Sequence, residues 1–166
     1  ETINHRKFHI DHGGVIPEMA ARQHLEILDT LVISMKKINF SKISAIAATF
    51  GPGLIGGLIV GSSFAKGLSI TKNVKLVPIN HLQAHLLSPR LVSKIKFPYL
   101  CLLVSGGNTA LVLVKNSKRF ITLGSTIDDS AGECFDKVAK GLGLGYPGGP
   151  EIEHLALGGD IEKFKL

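Results

Sequence analysis

The segment Asn80-His81-Leu82-Gln83-Ala84-His85 carries two imidazoles four residues apart. Asn80 and Gln83 stand at the spacing of a helix N-cap and its third residue, which predicts a helix beginning at His81. On that helix His81 and His85 lie one turn apart on one face, where two neutral imidazoles can share an ion. Imidazole nitrogen suits zinc or iron. Two ligands do not complete a site, and no other residue of the chain presents itself as the third. The same spacing describes two solvent-facing histidines on a short helix, and by spacing alone the two readings stand level. A zinc-protease reading fails on one residue. It needs a glutamate directly after the first histidine as general base, and Leu82 stands there.

Two glycine-rich segments have the composition of ligand loops. Ser105-Gly106-Gly107-Asn108-Thr109 lets backbone N–H groups approach an anion closely. A plain hairpin turn that needs positive φ accounts for it too, and taken alone that is the favoured reading. Gly145-Tyr146-Pro147-Gly148-Gly149-Pro150 reads equally as a ligand loop or a rigid bend after a helix. Asp136 can accept hydrogen bonds from ligand hydroxyls. It also stands four residues before Lys140, the spacing of a solvated ion pair. His12-Gly13-Gly14-Val15-Ile16-Pro17 reads as a binding loop or an ordinary turn, and His24 as a helix-face residue without special role.

Regular elements must hold these residues. Pro17 and Glu18 suit a helix start, and Leu25, Leu28, Val32 and Met35 recur at helical spacing behind them. Ile43 to Thr49 and Lys75 to Ile79 read as short buried strands around a small-residue helix from about Leu54 to Ile70. Strand, helix and strand within about 35 residues predict a βαβ unit with parallel strands. Beyond Pro98 the pattern predicts an antiparallel meander of Tyr99–Val104, Thr109–Val114 and Phe120–Leu123. A helix follows from about Asp129 to Leu142, with Ser130 and Glu133 at capping-box spacing. A seam is expected between Ser88 and Lys96, giving regions 1–90 and 91–166.

With 45% hydrophobic and 19% charged residues, the 166-residue chain has a soluble globular composition, which excludes a disordered one. No apolar run of about 18 residues occurs, so no membrane span is expected. The N-terminus shows no signal-peptide layout. Cys101 and Cys134 lie far apart inside apolar patterns and are expected to be reduced core thiols. The net charge of +6 suits a polyanion such as RNA, although the lysines are scattered rather than clustered.

The order of the motifs is more specific than any one of them. HGGVIPEMAARQHLE, TFGPGLIGGLIVG, NHLQAHLLSPR, LLVSGGNTAL and IDDSAGECFDKVAKGLGLGYPGGP follow one another from about His9 to Pro150. Together they resemble the TsaD (Gcp) family, in its bacterial and organellar form. The resemblance implies an α/β chain with a partial actin-like (ASKHA) fold of two RNase-H-like lobes, both incomplete. It implies transfer of threonylcarbamoyl from threonylcarbamoyl-adenylate to the adenosine beside a tRNA anticodon. It implies His81 and His85 as ligands of one divalent metal ion, iron or zinc. Leu103, Val104, Ser105, Gly106 and Gly107 match the segment lining the adenylate, and Asp136 and Gly149 match two further substrate contacts at the ribose. It assigns no catalytic acid or base. TsaB-like and TsaE-like partners, and a cytoplasmic or (in a eukaryote) mitochondrial location, follow from the same resemblance.

The chain departs from the family pattern at Asn108, usually histidine, at Ser125, usually glutamate, and at Gln83, usually acidic. The family's N-terminal phosphate motif is expected upstream of this chain, and its substrate asparagine and aspartate metal ligand beyond Leu166. The chain is therefore expected to bind metal weakly and to transfer nothing alone. Two other readings remain: a non-catalytic, degenerate or partner-binding piece of the family, and a fragment of a sugar-kinase-like or chaperone-like ATPase.

Overall fold

The computed structural model describes residues 16–35 and 39–165, so the loop from His12 to Val15 lies outside the described residues. Two compact units divide between Lys94 and Ile95.

In the first unit, helix α1 (Pro17–Ser34) starts with proline at its first position. The fixed φ of proline suits that position, and its missing N–H costs nothing there. Glu18 reaches Arg22 at 2.8 Å one turn on. Strand β1 (Ala45–Gly51) is followed by α2 (Ile55–Lys72), which Asn73 ends in a left-handed conformation. Strand β2 (Lys75–Asn80) then lies parallel to β1, in register from Ala45↔Lys75 to Thr49↔Ile79. The βαβ unit is as expected, but its strands are not buried. Their residues are exposed or half-exposed throughout. Among the described residues the sheet has two strands, and α2 is the main helix packed on it. One covering helix cannot enclose both faces of a strand pair.

Asn80 ends β2 and caps α3 (His81–Leu87), its Oδ1 accepting from the Gln83 N–H at 3.0 Å. Ser88 keeps right-handed helical angles, so Pro89 opens a further turn, α4 (Pro89–Val92), rather than ending the helical path.

The second unit begins with an antiparallel sheet of β3 (Tyr99–Val104), β4 (Thr109–Asn116) and β5 (Arg119–Ser125), in that order. Tyr99 pairs with Val114 and Val104 with Thr109, which leaves Ser105 to Asn108 as the connecting turn. Leu103, Val112 and Val114 fill the core of this unit. Helices α5 (Ala131–Gly141) and α6 (Gly148–Ala156) pack together, with Ala139 fully buried. The expectation of two core thiols holds only in part. Both cysteines are free, but Cys101 is half-buried and Cys134 is exposed. Cys134 borders an open groove beside Phe135, Val138 and Ile152 rather than a closed core. Among the described residues no helix is long and apolar enough to cross a membrane.

Val114 has no exposed surface, whereas Val104 is 54% exposed. Denaturant unfolding of Val114→Ala is expected to show a loss of about 2 kcal/mol. Val104→Ala should cost less than about 0.5 kcal/mol.

Candidate functional site

The cap at Asn80 fixes the first turn of α3, and that turn brings the two imidazoles together. The Nε2 atoms of His81 and His85 lie 3.2 Å apart, with the rings edge to face at 77°. Two nitrogens at that separation subtend about 100° at an ion ~2.05 Å from each, close to a tetrahedral angle. The separation also suits an N–H···N hydrogen bond between neutral rings of suitable tautomer. The donor set therefore fits a divalent ion as two adjacent ligands. Among the described residues no third histidine, cysteine, aspartate or glutamate joins them.

The pair stands at the C-terminal end of β2, where open α/β sheets place ligands. A cavity of about 670 Å³ opens there, between Phe50, Pro52 and Leu82. His81 borders a second cavity of about 380 Å³ that His24 and Thr49 also line. His24 thus has a place beside the candidate site that sequence reading missed. Its spacing on α1 is ordinary, and only the packing of α1 near α2 and His81 reveals the placement.

In the second unit the hairpin turn and the start of α5 form one structure. Ser105 closes the turn through its own N–H, which donates to the Asn108 carbonyl at 2.8 Å. The Asn108 N–H donates to Ser105 Oγ at 3.0 Å. Gly106 and Gly107 form the tip. Two successive carbonyls of this turn face α5. The Ser105 carbonyl accepts from the Gly132 N–H at 3.3 Å, and the Gly106 carbonyl accepts from the Ser130 hydroxyl. The cis peptide bonds of the described chain all precede proline, so these peptides are trans. A trans peptide points its N–H opposite to its carbonyl. The amides of Gly106 and Gly107 therefore face away from α5, and neither donates to a protein acceptor among the described residues. A Cβ on either glycine would meet nothing within 4 Å. Two adjacent free amides over open space are donors that an anion can approach.

This contact needs glycine at position 132. A Cβ there would sit 2.7 Å from the Gly106 Cα and 2.8 Å from the Ser105 carbonyl oxygen. The expected capping box is not made, because the first turn of α5 is satisfied from the hairpin instead. Thr109 Oγ1 accepts from the Ala131 N–H at 2.8 Å, and Ser130 makes no side-chain cap. Glu133 turns to Lys137, which also bonds Asp129 at 2.7 Å. The Asp129 and then the Glu133 carboxylate hold the Lys137 ammonium above its ordinary pKa. All three groups are open to solvent, so this cluster orients more than it stabilises.

One turn along α5, about 6 Å from Gly132, Asp136 pins the second glycine segment where α6 begins. Its Oδ1 accepts from the Gly148 N–H at 2.7 Å. No ion pair to Lys140 is present among the described residues. Gly148 presses on the helix so closely that a Cβ would fall 2.4 Å from that of Ala139. Gly149 beside it faces open space. Of the adenylate-lining candidates, Leu103 is only 8% exposed and belongs to the core, while Val104 is exposed. His81 and His85 belong to the first unit, and Ser105 to Gly107, Asp136 and Gly149 to the second.

The whole chain, residues 1–166, matches the family model described as TsaD, tRNA N6-adenosine threonylcarbamoyltransferase. A protein of that name from Methylobacterium sp. (strain 4-46) is 49% identical over 169 aligned positions, covering 100% of this chain and 49% of the relative. Another from Nitrobacter hamburgensis is 48% identical and covers 95% of this chain and 45% of the relative. A third, from the Wolbachia of Brugia malayi, is 50% identical over 95% of this chain and 48% of its own length. The chain spans about half the length of the curated relatives it matches.

Replacing Gly132 with alanine forces a methyl group into the hairpin backbone. Thermal or denaturant unfolding should show a loss of about 1–3 kcal/mol, whereas Gly141→Ala, with open space around it, should leave stability unchanged or raised.

Proposed function

The chain belongs to the TsaD family of tRNA N6-adenosine threonylcarbamoyltransferases, and from that premise we propose that it supplies nucleotide-holding and metal-holding parts of this transfer. The mixed parallel and antiparallel α/β architecture is part of the actin-like fold of that family. The observation that carries the functional reading is the pair of free, adjacent amides at Gly106 and Gly107, set opposite the Ser105 and Gly106 carbonyls that α5 and Ser130 hold.

In this reading the two amides grip the phosphate of threonylcarbamoyl-adenylate. The free Oδ2 of Asp136 and the backbone at Gly149 take the ribose. The exocyclic amine of the tRNA adenosine attacks the carbamoyl carbon, the bond from that carbon to the phosphate oxygen breaks, and the amine gives up one proton to solvent. Negative charge gathers on the departing adenylate, and amides already oriented toward it stabilise that charge without reorganising. His81 and His85 hold a divalent ion, iron or zinc, which when bound supplies Lewis-acid polarisation of the carbonyl. A further ligand comes from outside the described residues. No described residue is assigned as general base. Cytoplasmic tRNA, with TsaB-like and TsaE-like proteins as partners, completes the reading. Every relative named above is a transferase, and none is a kinase or chaperone, which favours this over an ATPase. The alternative is that the chain is a non-catalytic, degenerate or partner-binding piece of the family.

Substituting this chain for the matching segment of the Methylobacterium relative separates the two. The chimera should convert tRNA adenosine to its threonylcarbamoyl form, measured by mass spectrometry of digested tRNA. His81→Ala or His85→Ala in it should lower the rate by at least roughly 100-fold and lower the bound metal. A folded chimera that loads metal but transfers nothing would favour the non-catalytic reading. The chain alone is expected to hold metal weakly and to give no transfer.

A further inference from the structure

Ser130 stands directly before α5, where a serine hydroxyl ordinarily accepts from the second or third amide of the helix. Here it does not. Thr109 Oγ1 takes the Ala131 N–H, the Ser105 carbonyl takes the Gly132 N–H, and the Ser130 carbonyl takes the Cys134 N–H. The hydroxyl is released from capping and donates to the Gly106 carbonyl, at a position only 3% exposed.

That carbonyl belongs to the central peptide of the four-residue turn from Ser105 to Asn108. The central peptide of such a turn can flip between two turn types while its neighbours stay in place, and glycine on both sides permits either. A flip would carry the Gly107 amide from the open face toward α5. No other donor to the Gly106 carbonyl is present among the described residues.

We propose that Ser130 is a positioning residue: by holding the Gly106 carbonyl it aims the Gly107 amide at the phosphate of a bound adenylate. The assignment rests on the nucleotide reading above. The Ser105 carbonyl, held by the Gly132 N–H, sets the Gly106 amide in the same sense, so Ser130 completes a two-amide grip. The positive end of α5 reaches the anion through these two peptide groups, because its own first amides are occupied by the hairpin.

Calorimetry with AMP and with adenosine, which lacks the phosphate, tests this in the parent chain and in Ser130→Ala. The variant should bind AMP about five- to tenfold more weakly while its adenosine affinity stays that of the parent. The Gly148 amide resonance, held by Asp136, should not move, which reports that α5 and its second loop are intact. Equal AMP affinity in parent and variant overturns the assignment. So does a parallel loss for both ligands, which marks a purely structural hydroxyl. A parent that binds adenosine and AMP equally removes the phosphate role of the turn. A parent that binds neither removes the nucleotide reading and the assignment with it.

Discussion

The second unit depends on two missing methyl groups. Gly132 and Gly148 let two separate loops lie against the backbone of α5 at distances no other residue permits. The hairpin turn sits on the first turn of the helix, and the Tyr146–Gly149 segment, where α6 begins, sits one turn later. Each contact is then fixed by a polar group of the helix or of the residue before it: Ser130 and the Gly132 N–H on one loop, Asp136 on the other. A short helix thereby becomes a rigid spine carrying both segments that the family resemblance links to the adenylate.

Electrostatics follows from that packing. The N-terminal amides of α5 would be a ready anion site if they were free. The first two, of Ala131 and Gly132, are occupied by Thr109 and by the Ser105 carbonyl. The peptides of the turn relay the same polarity outward, since an accepting carbonyl on one side leaves an N–H on the other. The first unit uses a simpler device. One asparagine cap sets one helical turn, and the turn sets the 3.2 Å approach of two imidazole nitrogens.

Elements fixed by neighbouring residues were legible before any coordinates. Asn80 and Gln83 predict the start of α3, and the glycine turn between apolar runs predicts the β3–β4 hairpin, because cap and turn are local interactions. The parallel order of β1 and β2 followed from the helix between them. What depended on distant partners was not legible. Ser130 and Glu133 have capping-box spacing, yet the Ser130 hydroxyl goes to a carbonyl 24 residues away and Glu133 to Lys137. Asp136 has the spacing of an ion pair with Lys140, and tertiary packing offers it the Gly148 amide instead. The apolar content of β1 and β2 suggested full burial, which the two strands and one main covering helix of the described residues do not supply. Membership of the family was readable from the order of motifs, and the match over residues 1–166 bears it out.

The central claim is that α5 holds the turn so that the Gly106 and Gly107 amides meet a nucleotide phosphate. Amide nitrogen–proton NMR spectra of the chain titrated with AMP test it most directly. The largest shifts should fall on Gly106 and Gly107, with smaller ones at Gly149 and little change along β5. Saturable AMP binding that leaves both glycine amides unmoved would contradict it.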